Sequence, residues 1–326
     1  MSQLVTVVGG SGFLGRYIVR RLAREGWRVR VAVRRPDEAL FVRSYGHVGQ
    51  VVPVAANLRD DDSLRAALRG AEAAVNCVGT FDRRGRNSFA AIHVAGAERF
   101  ARLCREEGVA RVVHVSALGA DPAGRSEYAR TKAAGEAAIL RHMPEAVILR
   151  PSVLFGPEDS FFNRFAAMAV RSPVLPLVGA GTRFQPVYVD DAAAAAAMGA
   201  MGRAAPGIYS LGGPEVETFR ALMERMLRHI RRRRLILGLP FWLGGAMGSA
   251  FDLLGLISGG LAPSPITRDQ VDSLRSDNVV PEGAPGLADL GIAPVAMDSI
   301  LPDYLWRFRP SGQYAEIKDS ARNLRI

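Results

Sequence analysis

A short apolar run, Leu4–Val8, leads directly into Gly9-Gly10-Ser11-Gly12-Phe13-Leu14-Gly15. Apolar residues then recur at helical spacing through Tyr17, Ile18, Leu22 and Ala23 as far as Gly26. Few chain conformations accept this order. The run is rich in β-branched residues and does not alternate, as expected for a strand buried on both faces. A glycine-rich turn from such a strand into an amphipathic helix lets backbone amides approach an anion at the positive end of the helix dipole. Three glycines alone carry little information, but placed between these two elements they indicate a cradle for a pyrophosphate. The competing reading is a turn that needs glycine only for tight packing.

The pattern then repeats. Trp27–Val33, Val51–Ala55, Ala73–Val78 and Arg111–Val115 read as further buried strands. They alternate with helices expected over Asp61–Gly70, opened by Asn57-Leu58-Arg59-Asp60, and over Ser88–Glu107. Strands alternating with helices predict an α/β chain with a doubly wound parallel sheet, a Rossmann fold, and a ligand crevice at the strand ends. Asn76-Cys77-Val78-Gly79 ends one of those strands, beside the expected adenine ribose and pyrophosphate. An NAD site usually carries an acidic residue about 20 positions past the glycines, on the ribose hydroxyls. Arg34 and Arg35 stand there instead. A charge-assisted hydrogen bond to a 2′-phosphate contributes about 1.5–3 kcal/mol, a tenfold to hundredfold preference for NADP(H). Arg16 could add a second contact. The alternative is that these are ordinary surface arginines.

Composition narrows the classes. A chain of 326 residues suggests two domains, or one large domain with an extension, and 48% hydrophobic residues suffice for a sizeable core. Two cysteines, Cys77 and Cys104, give neither a disulfide framework nor ligand spacing, so no metal site is expected. Of the cations only Lys132 and Lys318 are lysine; forty are arginine, a skew that fits a GC-rich genome. The net charge of +10 favours anionic partners such as phosphates, acidic proteins or anionic lipid. No nucleic-acid-binding module is visible, and no nucleic-acid partner is expected. Leu4–Val8 is too short for a signal-peptide core, which places the chain in the cytoplasm.

The candidate chemistry follows the fifth strand. Ser116 ends it, and Tyr128-Ala129-Arg130-Thr131-Lys132 opens a later helix, with tyrosine and lysine on one face. A free phenol titrates near 10, so a nearby ammonium that lowers its pKa would suit it to acid–base work. Lysine would also hold the nicotinamide ribose, and Ser116 would position a substrate oxygen. In a chain with two lysines, one at this position argues for a functional constraint, because arginine cannot give up its proton. The bland reading is an exposed pair on a surface helix.

Gly9–Gly15, Asn76–Gly79, Ser116, Tyr128/Lys132, Arg150–Pro157 and Val187-Tyr188-Val189-Asp190-Asp191 together resemble an extended or atypical short-chain dehydrogenase/reductase. The resemblance implies that Gly9, Ser11, Gly12, Phe13, Leu14, Gly15, Asn57, Leu58, Cys77, Val78, Gly79, Pro151, Ser152 and Val153 border the coenzyme. One departure stands out. Enzymatic relatives carry an asparagine in an Asn-Val-x-Gly-Thr stretch, where this chain has His93-Val94-Ala95-Gly96-Ala97. Leu149–Phe165 and Phe184–Val189, which extend past those generic motifs, and Thr267–Val271 and Gly286–Ile292, which lie outside them, resemble the NADPH-binding accessory subunits of respiratory complex I. That resemblance implies a tightly bound NADPH, a structural role, and neighbours in the peripheral arm near the quinone site and the membrane surface.

Residues 1–215 thus read as the NADP(H)-binding domain and 216–326 as a smaller, partly extended C-terminal region. Arg228 and Arg231–Arg234 precede the apolar stretch 235–262, which contains Pro240, Phe241, Trp242 and one charge, Asp252. It is marginal for a transmembrane helix. Burial in the chain's own core is a second reading. An amphipathic surface against an anionic membrane or a membrane-bound partner suits a basic cluster beside aromatic residues. The proline-rich remainder reads as an extended arm, and Asp303–Arg309 as its anchor or as a final helix. The expectation is an accessory subunit of complex I, peripheral on the cytoplasmic side of a bacterial inner membrane. The alternative is a free-standing NADPH-dependent reductase or epimerase acting on a lipid- or quinone-like substrate.

Overall fold

A computed structural model describes residues 3–81, 85–257 and 267–314. The chain forms two compact units, neither continuous in sequence. The first comprises 1–152, 189–212 and 280–294; the second comprises 153–188, 213–279 and 295–326.

The first unit is a doubly wound α/β layer. Strands β1 (Leu4–Val8), β2 (Arg28–Val33), β3 (Val51–Ala55), β4 (Ala73–Asn76), β5 (Arg111–Val115) and β6 (Val147–Pro151) are joined by a seventh, Gly207–Leu211. Every pairing is parallel, and the order across the sheet is seventh, β6, β5, β4, β1, β2, β3. The order reverses between β1 and β4, so the crevice for a ligand lies beyond their carboxyl ends. Val5, Val7 and Val75 are wholly buried, which explains the lack of alternation in these strands.

Helices α1 (Phe13–Arg24), α2 (Asp61–Leu68), α3 (Ala95–Glu106) and α4 (Glu127–His142) cover the sheet with a fifth, Val189–Ala200. Asp60 caps α2 by accepting from the Ser63 N–H, and Ser126 caps α4 by accepting from the Ala129 N–H. A single helix was expected over Ser88–Glu107. It is divided instead: Ala90–Val94 is a π-helical turn and α3 starts at Ala95. Such turns hold one extra residue per turn and often occur at functional sites. Residues 280–294, proline-rich in sequence, pack within this unit, burying Leu287 and Leu290, and the Pro285 carbonyl accepts from the Ser210 N–H at 2.7 Å.

In the second unit Phe155, Phe161, Phe162, Phe165, Phe184 and Phe219 form a contiguous aromatic core, with neighbouring ring centroids 5.1–6.4 Å apart. Asp159 is buried beneath it and accepts from the Tyr304 hydroxyl at 2.6 Å, the Asn163 N–H at 3.0 Å and the Gly156 N–H at 3.2 Å. Tyr304 belongs to a short helix, Leu301–Leu305, so the expected Asp303–Arg309 segment is helical and packed on its own unit.

The apolar stretch divides into a strand, Leu235–Leu239, paired in parallel with Val174–Val178, and a helix, Phe241–Ile257. Positions 258–262 lie outside the described residues. Glycines let the helix approach its neighbours: a Cβ on Gly244 would lie 2.7 Å from the Val178 side chain, and one on Gly248 would lie 2.7 Å from the Arg268 nitrogen. Among the described residues, no helix is long and apolar enough to cross a membrane.

Candidate functional site

The glycine turn follows β1 directly. Gly9 adopts φ +83°, a conformation that favours glycine, and its carbonyl accepts from the Gly12 N–H at 3.0 Å. Gly15 is required for a different reason. A Cβ there would lie 2.3 Å from the Gly9 carbonyl oxygen and 2.7 Å from the Gly10 Cα, so α1 can sit against the turn only without one. The N-cap of α1 is Gly12, which has no side-chain oxygen to offer, and the first turn of α1 has no acidic residue. Its leading amides are therefore left to an external acceptor, unlike those of α2 and α4.

Beside the turn, Val78 abuts Gly9, where an added Cβ would lie 2.9 Å from the Val78 Cγ2. The Cys77 thiol donates to the Val8 carbonyl at 3.1 Å, and burial pushes its pKa up to about 12. Cys104 is pushed up by burial as well, so neither is a nucleophile. At the end of β5, Ser116 is 3% exposed, and its hydroxyl has no hydrogen-bond partner among the described residues. An unpaired buried hydroxyl costs free energy unless a ligand supplies the partner. Together with the glycine cradle, it fits a dinucleotide lying along the strand ends. Lys132 is buried, donates to the Val115 carbonyl at 3.2 Å, and lies about 3.9 Å from where a Cβ on Gly79 would stand. Desolvation lowers its pKa to about 8, against the opposing pull of Glu136 and Cys77.

Tyr128 departs from expectation. The Lys132 ammonium is 5.9 Å from its ring centroid, yet burial raises the phenol to about 12, so the nearby cation does not lower it. The cause is an aromatic box absent from the sequence-derived site: Phe81 stacks on the Tyr128 ring at 5.5 Å, and Phe89 and His93 meet it edge-on at 5.8 and 5.5 Å. His93 ties this box together from the π-helical turn. Its Nε2 accepts from the Thr80 N–H at 3.3 Å, which assigns the proton to Nδ1, 3.2 Å from the Thr131 hydroxyl. The residue replacing the familiar asparagine thus joins the loop after β4 to the tyrosine helix. The departure at His93 in sequence was the available signal for it.

Two buried imidazoles, His93 and His114, have pKa values lowered to about 3, chiefly by desolvation. The unfolded chain binds these protons near pH 6.5, whereas the native chain refuses them until about pH 3. Stability is therefore full above pH 6.5 and falls with acidification, by about 1.4 kcal/mol per pH unit for each imidazole. Between pH 7.5 and 5.5 the expected loss is about 2–3 kcal/mol. Denaturant titrations at the two pH values check this; equal midpoints would refute it.

Arg34 and Arg35 follow β2 and are exposed; Arg34 Nη1 lies 3.5 Å from Asn87 Oδ1, and Arg35 pairs with Glu38 at 2.8 Å. Arg16 donates to the Ser11 carbonyl at 3.2 Å and lies over the Phe41 ring. The Asn57 side chain accepts from the Arg59 N–H, whereas the Leu58 side chain is core, packed where a Cβ on Gly96 would be 2.7 Å away. The Pro151 carbonyl accepts from the Leu118 N–H, and the Ser152 N–H donates to the Leu211 carbonyl. Val153 opens the second unit.

Fold and crevice together define a dinucleotide-binding Rossmann protein. Residues 5–212 match the NAD dependent epimerase/dehydratase family, and the chain belongs to it. Over 316 residues it is 36% identical to the mitochondrial NADH dehydrogenase [ubiquinone] 1 alpha subcomplex subunit 9 of Arabidopsis thaliana, covering 95% of this chain and 79% of that protein. Within the wider family, it therefore belongs with these complex I subunits. It is also 37% identical over 191 residues to the ceramide reductase of Caulobacter vibrioides, 59% of each chain. Among solved structures, the NADPH-dependent quinone oxidoreductase QOR2 of Escherichia coli, complexed with NADPH, shares the fold at a TM-score of 0.71 and 17% identity, covering 92% of this chain and 98% of that one.

Proposed function

We propose that this chain is an accessory subunit of proton-pumping NADH:quinone oxidoreductase that holds one NADP(H) as part of its fold. The observation that carries the reading is likeness to a complex I subunit along 95% of the chain, well past the coenzyme domain. Gly9, Gly12 and Gly15 shape the pyrophosphate turn, and Arg34 and Arg35 take the 2′-phosphate. Tyr128 and Lys132 hold the nicotinamide ribose. When bound, the coenzyme would supply hydride chemistry; here its role is to complete the unit, satisfying the Ser116 hydroxyl and the α1 amides. The subunit sits in the peripheral arm near the quinone site, on the cytoplasmic side of a bacterial inner membrane.

A tagged copy should co-migrate with NADH dehydrogenase activity on a native gel of gently solubilised membranes. The nucleotide extracted from that band should be NADP(H), not NAD(H). A tag found only at low mass would sink the subunit reading. A second reading, a free-standing reductase of a lipid-like substrate, is favoured by the likeness to a ceramide reductase and by the Tyr128/Lys132 pair. Tyr128→Phe separates the two: a reductase loses its activity, whereas a subunit still assembles.

A further inference from the structure

The wall of the crevice between the glycine turn and Lys132 is the segment that follows β4. It is pinned along its length: the Cys77 N–H donates to the Val8 carbonyl at 3.1 Å, and the Val78 N–H donates to Asn76 Oδ1 at 3.2 Å. Val78 stands against Gly9, and Gly79 lies beside the Lys132 ammonium. Phe81 then emerges 69% exposed, stacked on Tyr128. At this outer end the segment is held by a side chain from another element, His93.

The hydrogen bonds around this imidazole run in one direction. The Thr131 hydroxyl donates to the Glu127 and Tyr128 carbonyls at 2.8 and 3.1 Å, so its oxygen accepts from the His93 Nδ1–H at 3.2 Å. Nε2 then keeps its lone pair for the Thr80 N–H at 3.3 Å. Thr80, His93, Thr131 and Glu127 thus form a single chain that joins the crevice wall to α4. Packing fixes the same residue. Phe89 stacks on the ring at 5.3 Å, Tyr128 meets it edge-on, and the side chain is 2% exposed. The His93 carbonyl oxygen lies against Gly135 of α4, where an added Cβ would be 2.2 Å away. The residue sits in the π-helical turn Ala90–Val94, a device often found at functional sites. An apolar ring would fill this space equally well, but it could not hold the Thr80 amide.

We propose that His93 is a positioning residue that clasps the outer wall of the dinucleotide crevice and so slows the departure of bound coenzyme. The inference rests on the reading that this chain holds NADP(H), and it assigns retention to one side chain acting through Thr80 and Phe81. The test uses the full chain. NADPH release is followed by the loss of its fluorescence on a chase with excess NADP+, and hydrogen exchange of the Thr80 amide is followed in the coenzyme-free chain. His93→Phe keeps a ring but neither hydrogen bond. It should release NADPH about tenfold faster, equivalent to about 1.4 kcal/mol, and its Thr80 amide should exchange about tenfold faster without any coenzyme present. Thr131→Val removes the acceptor for Nδ1 and should speed release about threefold. In the double variant the two effects should fall short of their sum, because both break one chain. His93→Gln offers an acceptor and a donor in place of the ring nitrogens and should restore most of the retention, which a role in packing alone would not allow. Release at the parental rate from Thr131→Val, whether or not His93→Phe folds, would overturn the clasp while leaving coenzyme binding intact. Release from His93→Gln as fast as from His93→Phe would overturn it equally. A parental chain that retains no NADP(H) would defeat both the clasp and the reading beneath it.

Discussion

A chain carrying Gly15→Ala is expected to purify without coenzyme. The added methyl would stand 2.3 Å from the Gly9 carbonyl oxygen and 2.7 Å from the Gly10 Cα, both backbone atoms in a turn that has no slack. Relief requires α1 to move away from β1, which takes its leading amides out of reach of a pyrophosphate. The overpacking itself costs about 1–3 kcal/mol of stability. Loss of a ligand that binds only the native state lowers apparent stability further, by roughly 4 kcal/mol at a thousandfold excess over Kd. The readouts are nucleotide content after gel filtration and Tm with and without added NADPH. Gly26→Asn is the control. Gly26 also has a positive φ, +83°, but nothing lies near its Cβ, and asparagine accepts that conformation. Retention of stoichiometric nucleotide by the Gly15 variant would remove the glycine turn from the site.

Asp159→Ala should be the most destabilising change in the second unit. It strips an acceptor from the Tyr304 hydroxyl and from the Gly156 and Asn163 amides at once. A buried donor left without a partner costs about 1–3 kcal/mol, so two or three of them remove a large share of the about 5–15 kcal/mol that holds a typical domain. Burial raises the Asp159 carboxyl and, more strongly, the Tyr304 phenol, so both resist ionisation. Asp159→Asn keeps one acceptor oxygen and should lose less than half as much. Limited proteolysis of the Leu301–Phe308 region checks the pair; an alanine variant as resistant as the parent would show that Tyr304 is held by packing alone.

The Rossmann unit was legible because its signals are local. Leu4–Gly15 states a strand, a turn and a helix in twelve residues, and Asp60 announces the helix it caps. The Tyr128/Lys132 pair was legible for the same reason, since helical spacing alone puts both on one face. What surrounds that pair was not. Phe81, Phe89 and His93 reach Tyr128 from 47, 39 and 35 positions away, and they reverse the expected direction of its pKa shift.

The sequence by itself determined the class of fold, the glycine turn between strand and helix, and the candidate polar residues, because adjacent residues share geometry imposed by the backbone. Only the tertiary structure decided how Tyr128 titrates, where the proline-rich segments 280–294 and 295–314 pack, and that Arg231 bends left-handed at the end of its helix. Each of these depends on desolvation or contact between distant segments. Those quantities exist only once the chain has closed on itself.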